Sequence, residues 1–496
     1  MSCQLVRPQG MYSMSIKFRC LVFLACVACS TAKAHDGEDD HVHEPIAVKP
    51  AVMYRPTQMP DRIVLTWSDD VCTTQSVTWR TSVDVTTAYA EIAAAEAGPG
   101  YTAKATRVTA MSEALKTDIN TAHFHSVTFR DLTPGTVYAY RVGDGVNWSE
   151  WLHFRTASDQ PQPFSFVYFG DAQNNLRSLW SRVIREAQRD APKAAFLLHA
   201  GDLVNRAESD AEWGEWFGAG GWLNGMMPSI AVPGNHEQAK LEDGTRRLSH
   251  HWKPSFTFPK NGPVGLEESC YTLTYQNARI VCLNSNTLQK EQAVWLDEVL
   301  TKNEKPWVIL AFHHPLYSTG KDRDNAELRA LWKPIFDKHK VDLVLQGHDH
   351  TYGRTGFDVP PVSEKDRSGL QAVSAAAAEA ISKLAQASVN TGTENVPTGV
   401  QNFDKDTGTV YVVSVSGPKM YNNNRKWFMR RLAEDTQLYQ IIRIDGRHLK
   451  FEARTAIGEL YDSFELVKQP GQINKLIELG ADVPENLRPL EPTEEN

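Results

Sequence analysis

Short apolar runs recur between Pro60 and Ser158: RIVLTW, SVTWRT, AYAEIA, HSVTFR, TVYAYRVGD and WLHFRT. Clusters of Asp, Gly, Pro and Thr separate them, and strands at this spacing predict an all-β sandwich. At Phe164 the pattern changes. PFSFVYFGD is a near-continuous apolar strand, and in the following LRSLWSRVIREAQRDAP the residues Leu176, Trp180, Val183, Ile184 and Ala187 share one helical face. Apolar strands then end in AFLLHAGD, SIAVPGNH, RIVCLNSN, WVILAFHH and DLVLQGHDH, several of them separated by amphipathic segments, so the second region reads as a layered α/β domain. Residues 357–408 break this order with an Ala-rich and then Asn/Thr/Gly-rich stretch, read as a surface insertion. GTVYVVSVSG and YQIIRIDGRHLKFEAR resume the strand pattern, and a polar tail is expected over 469–496.

The start of the chain has a different grammar. Lys17 and Arg19, the apolar CLVFLACVAC and Ala32-Lys33-Ala34 read as the basic, apolar and cleavage regions of a signal peptide over 1–34. HDGEDDHVHE then opens a solvated linker over 35–56, and the two domains are expected at 57–158 and 162–468. This makes the protein an exported one, periplasmic, cell-surface or secreted, with no integral membrane span. Four of the seven cysteines fall in the leader, which leaves Cys72, Cys270 and Cys282. An odd number argues against a disulfide framework. Cys270 and Cys282 flank a turn and either pair or stay as buried thiols. A net charge of −8, with 52 Lys and Arg scattered among 60 Asp and Glu and no basic block, gives no support for a nucleic-acid partner.

The polar residues of the second domain gather where its strands end, which is where open α/β sheets bind ligands. Five strand ends contribute Asp171, Asp202, Asn235, His313 and the pair His348 and His350. One Asp after a strand is usually a turn former, and one His usually packs. A set of carboxylates, a carboxamide and imidazoles without thiolate is different, because it suits two divalent metals sharing a bridging carboxylate at about 3.5 to 4 Å separation.

Gly170-Asp171, Gly201-Asp202-Leu203-Val204-Asn205, Gly234-Asn235-His236-Glu237, His313-His314-Pro315 and Gly347-His348-Asp349-His350 stand in the order of the blocks of the calcineurin-like metallophosphoesterases, which the sequence resembles. Leu132-Thr133-Pro134-Gly135-Thr136-Val137-Tyr138 resembles the tyrosine-corner segment of fibronectin type III domains. The combination is similar to purple acid phosphatases and their bacterial relatives. The resemblance implies a fibronectin III-like sandwich followed by a phosphoesterase domain with a β-sandwich core flanked by helices. It also implies that Asp202 bridges two metals, that Asp171 and His350 complete one site, and that Asn235, His313 and His348 complete the other. The ions would be two divalent ones, with manganese, zinc and iron all open. His236 would bind phosphate or protonate the leaving oxygen, and Arg206 would clamp a non-bridging oxygen. His314 packs or touches substrate. The implied activity is hydrolysis of small phosphomonoesters by metal-activated water, with phosphodiesters or nucleotides as the alternative and a catalytically weak surface-binding protein as a further one.

Departures from the family pattern stand out. The family's purple members place a Tyr three residues after the bridging Asp, where this chain has Asn205, so the protein should lack their colour. Many other members have an Asp there, which orients the catalytic His, and Asn205 supplies no carboxylate for His236. Gln173 replaces a His found two residues after the first Asp, and either offers a weak oxygen ligand or stays off the metal. Asp322 and Arg323 stand where the acid phosphatases carry a His pair. His250, His251 and the aromatic run AEWGEWFGAGGW either line the approach to the site or pack.

Overall fold

The computed structural model describes residues 47–321, 323–363, 366, 408–469 and 471–489. The signal segment, the linker before residue 47, Asp322, most of the 357–408 insertion and the last residues of the tail lie outside the described residues. The linker does not run to 56: Pro50–Met53 forms one helical turn.

Two four-stranded sheets make the N-terminal sandwich. One has the order Asp61–Thr66, Gln75–Ser82, Thr121–Phe129, Met111–Lys116; the other has Thr106–Thr109, Tyr89–Ala94, Val137–Gly143, Leu152–Arg155. Six of these strands follow the apolar runs. Thr106–Thr109 and Met111–Lys116 were not foreseen, because both are edge strands exposed along nearly their whole length and carry no apolar face to betray them. The tyrosine corner forms: the Tyr138 hydroxyl accepts the Thr133 N–H at 2.8 Å.

The second domain faces two seven-stranded sheets against each other. In the first, Ser229–Ala231, Leu197–His199 and Phe164–Phe169 run parallel, followed by the antiparallel Leu438–Asp445, His448–Thr455, Leu460–Val467 and Lys475–Glu478. In the second, Ala278–Cys282, Trp307–Ala311, Leu343–Gln346 and Val410–Val413 are parallel neighbours at the centre. Period two divides the side chains of this sheet. Ile280, Ile309 and Leu345 join Phe166 and Ile441 between the sheets, whereas Val281, Leu310 and Val344 join Leu296 and Trp332 of the helices Gln289–Thr301 and Ala326–His339 on the other face. The same alternation answers the cysteine question. Tyr271 pairs with Cys282, so Cys270, one residue away, points to the opposite face; both thiols are free and buried. Burial pushes Cys282 up to about 12.

The helical face read from the sequence is fully buried from Leu176 to Ala187, its first turn being a wider π-helical one. The tail expectation needs correction. Lys475–Glu478 extends the first sheet by pairing with Leu460–Val467, and the buried Arg354 reaches Glu478 Oε2 at 2.6 Å. With four residues, of which Leu476 packs on the core, this edge strand is too short to set up a strand pattern, so the sequence reads as tail.

Polar side chains weld the two domains. Arg62 grips Asp210 through Nη1 and Nη2 at 2.6 and 3.1 Å, Arg80 reaches the same carboxylate at 3.3 Å, and all three side chains are buried. Trp67 of the sandwich packs edge-on against Phe196 of the first sheet.

Candidate metal centre

Every foreseen ligand lies just past the end of a strand. Asp171, Asp202 and Asn235 come from the first sheet, His313, His348 and His350 from the second, and the sheets touch below the cluster in a parallel bridge between Asp171 and Val415. The packing there is close. A Cβ at Gly347 would collide with Asp171 Oδ1, and one at Gly234 with Asp202 Oδ1. Asp202, His348 and His350 have φ of +51°, +77° and +52°. Such left-handed backbone costs a side-chain-bearing residue roughly 1–2 kcal/mol and persists only where the surroundings impose it.

The donor atoms form two groups that share one residue. Asp202, His313 and His348 bring ligand atoms within 4.8 Å of one another, and so do Asp171, Asp202 and His350. Asn235 Oδ1 lies 3.1 Å from His313 Nε2 and 2.9 Å from His348 Nδ1. Main-chain carbonyls fix two tautomers: His313 Nδ1–H donates to Ala200 O and His350 Nδ1–H to Lys419 O, each at 2.9 Å. The Nε2 atoms are therefore the inward-facing ones, 3.2 Å from Asp202 Oδ2 and 3.3 Å from Asp171 Oδ2. Asp171 Oδ2 is buried and has no hydrogen-bond partner. Imidazole lone pairs and carboxylate oxygens that converge in a buried site, one oxygen without a protein partner, fit divalent metal. Titration agrees in direction. Burial alone would lower His313, but Asp202 and Asp171 raise it well above the usual imidazole range, a proton being the smallest cation the cluster can take. Burial depresses His348 and His350, which leaves them neutral donors.

A buried carboxylate behind the cluster holds it in shape. Glu237 accepts the N–H groups of Asp202, Leu203, Val204 and Gly234 at 2.9, 2.8, 3.2 and 2.7 Å. In the sequence it stands only as the residue after Gly234-Asn235-His236; its role comes from distance in the fold.

Residues 164–352 match the family model of the calcineurin-like phosphoesterases, and residues 60–156 match that of the purple acid phosphatase N-terminal domain. The chain carries a calcineurin-like phosphoesterase domain behind a purple acid phosphatase N-terminal domain. It is 27% identical to human acid phosphatase type 7 over 47% of this chain and 57% of that protein. With the Fe(3+)-Zn(2+) purple acid phosphatase 12 of Arabidopsis thaliana it shares 26% identity over 47% of this chain and 52% of the other. The chain thus spans about half the length of the curated relatives it matches. The solved purple acid phosphatase PPD1 of yellow lupin shares the fold, with a TM-score of 0.62 at 18% identity, over 82% of this chain and 74% of that one.

Around the phosphoesterase cluster, the other foreseen residues divide. His236 Nδ1–H donates to the Asn205 main-chain carbonyl at 2.6 Å, and its own N–H donates to Asp202 Oδ1 at 2.9 Å. The missing carboxylate at position 205 is thus replaced, for orientation, by the backbone of the same residue. Arg206 is not brought to the cluster: its Nε pairs with Glu212 at 2.6 Å and the side chain is 70% exposed. Gln173 is fully buried inside the cluster, its Nε2 2.9 Å from both Asp202 Oδ2 and His350 Nε2, with Oε1 unpartnered. His314 bonds Ser285 Oγ through Nδ1 at 2.8 Å and lies against His348; burial and the charge of His313 push it down to about 3. His251 packs on Trp213, and Trp213, Trp216 and Phe217 of the aromatic run are core, whereas His250 is exposed beside Glu208. Asn235 and His314 open on a cleft of about 1040 Å³ that the exposed Arg246 also lines. Among the described residues, no helix is long and apolar enough to cross a membrane.

Proposed function

We propose that the protein is an exported, dinuclear metal-dependent phosphatase acting on small phosphomonoesters. The observation that carries this reading is the pair of donor groups sharing Asp202. Asp171, Asp202 and His350 would hold one divalent ion, and Asp202, Asn235, His313 and His348 the other, with manganese, zinc or iron as candidates. When bound, the ions supply Lewis acidity toward the phosphoryl oxygens and a water acidic enough to attack near neutral pH.

The chain's own groups do the rest. Asp202 stays ionised: burial works against it, but His313 and His236 hold it well below the usual carboxylate range. His236, its Nδ1 proton committed to Asn205 O, has Nε2 to carry a proton to the departing alkoxide oxygen. Glu237 keeps the Asp202 loop from relaxing. His314 stays neutral and packs edge-on to His313 and tilted against His348, so it adds no charge to the site.

The test is hydrolysis of 4-nitrophenyl phosphate by the purified protein with manganese, zinc or ferrous iron, beside Asp202→Asn. Turnover with at least one metal is expected, falling on the order of a thousandfold in the variant, the equivalent of several kcal/mol of lost metal assistance. Absence of turnover with every metal sinks the enzyme reading, and equal activity in Asp202→Asn sinks the assigned centre.

A further inference from the structure

Two cations sit on one aromatic ring beside the ligand histidines. The Arg323 guanidinium carbon lies 4.8 Å from the Tyr421 ring centroid, and Lys419 Nζ lies 5.3 Å from the same centroid. The ring itself is 4.7 Å from that of His350. The backbone ties this group to the site. Tyr421 N–H donates to His350 O at 3.1 Å, His350 Nδ1–H donates to Lys419 O at 2.9 Å, and Arg323 Nη1 donates to His348 O at 2.6 Å.

The arginines further off, Arg206 and Arg247, are matched by Glu212 and Glu208. Among the described residues, no carboxylate pairs with Lys419 or Arg323, and both side chains are only half-buried. Like charges held together repel, and dications a few ångströms away would repel them further. Such an arrangement is stable in use when an anion of more than unit charge lies among them. Arg323 spends one of its five N–H groups on His348 O, and Lys419 has three donors of its own.

We propose that Lys419 and Arg323, held on Tyr421, form a cationic rim that takes non-bridging oxygens of the substrate phosphate and selects dianionic phosphomonoesters over monoanionic diesters. This rests on the phosphatase reading and names the residues that set its substrate class. A phosphomonoester carries a charge near −2 above its second pKa of about 6, and three terminal oxygens that accept hydrogen bonds. A diester carries one charge fewer, and its second ester group puts carbon where one of the donors needs an acceptor. Discrimination therefore comes from both field and unmet hydrogen bonds.

The experiment compares wild type, Lys419→Met and Lys419→Arg on 4-nitrophenyl phosphate and bis(4-nitrophenyl) phosphate, with orthophosphate as competitive inhibitor and bound metal measured per chain. The Lys419 backbone carbonyl, which holds His350, is unchanged in both variants. Lys419→Met should raise KM for the monoester and the inhibition constant of orthophosphate by about tenfold, a lost charge-assisted hydrogen bond. The ratio of monoester to diester kcat/KM should drop by a similar factor, with metal content at the wild-type level, and Lys419→Arg should recover most of it. A ratio unchanged within about twofold overturns the inference, as does an equal loss on both esters accompanied by loss of metal, which would make Lys419 a support for His350 alone. Wild type inactive on both esters would overturn the phosphatase reading itself, and the rim with it; an active wild type with an unchanged ratio in Lys419→Met would remove the rim only.

Discussion

Glu237→Gln isolates the part of the site that is neither ligand nor proton donor. Glu237 is fully buried, and its two oxygens divide four backbone donors: Oε2 takes Asp202 N–H and Gly234 N–H, Oε1 takes Leu203 N–H and Val204 N–H. Glutamine preserves the shape but keeps one acceptor oxygen. Whichever way the amide turns, its NH2 faces two N–H groups that lose their partner. At about 1–3 kcal/mol for each buried donor left unsatisfied, the cost is roughly 2–6 kcal/mol, with no change of volume to confuse it. Part of this should appear as weaker metal binding, because the stranded donors belong to the loop that carries Asp202; outer partners of ligands typically govern affinity by about 10–100-fold. Urea unfolding of the metal-loaded protein gives the first quantity, and calorimetric titration of the metal-free protein the second. A variant with wild-type midpoint and wild-type metal affinity would refute the reasoning, since the loop would then be held without the carboxylate.

Asp210→Ala should destabilise the protein by about 3–5 kcal/mol, because it strands the buried Arg62 at the domain interface, whereas Arg80 keeps Asp61 at 2.6 Å; thermal unfolding measures it. His199→Phe should stabilise, most clearly in acid. Burial among Phe169, Trp180 and Trp216 pushes His199 down to about 3, and neither ring nitrogen has a partner, so the unfolded chain binds a proton from about pH 6.5 downward that the folded chain refuses. Stability linked to this residue falls as pH drops from 6.5 toward 3, and unfolding midpoints at pH 7 and pH 4.5 should show a larger gain for the variant at the lower value. Chelation of the metal should both abolish turnover and lower the melting temperature, since ligands from two sheets are joined through the cluster; re-addition of metal should restore both.

The cluster was legible because each candidate ligand follows an apolar strand, and within each sheet those strands are parallel neighbours whose ends lie together; the meeting of the two sheets was not written in chain order. Six of the sandwich strands were readable because they carry apolar residues into the core. Thr106–Thr109, Met111–Lys116 and Lys475–Glu478 were not, as edge strands satisfied by hydrogen bonding carry little apolar signal. The surroundings of the site were harder. Arg206 stands next to Asn205 in sequence yet turns to Glu212 six residues on, whereas Lys419, from beyond the 357–408 stretch, arrives beside His350. Proximity of that kind is set by where loops leave the sheets, which periodicity does not record.

The hydrogen bond from His236 to the carbonyl of Asn205 has a consequence for variation. A contact made by the main chain is indifferent to the side chain that the codon specifies, so Tyr, Asp, Asn or Ala at position 205 would leave the imidazole anchored. Proline is the exception, because the Asn205 N–H is itself bonded to Glu212 Oε2 at 2.8 Å. Position 205 is thereby released from the duty of orienting His236, and its side chain is left free of that demand.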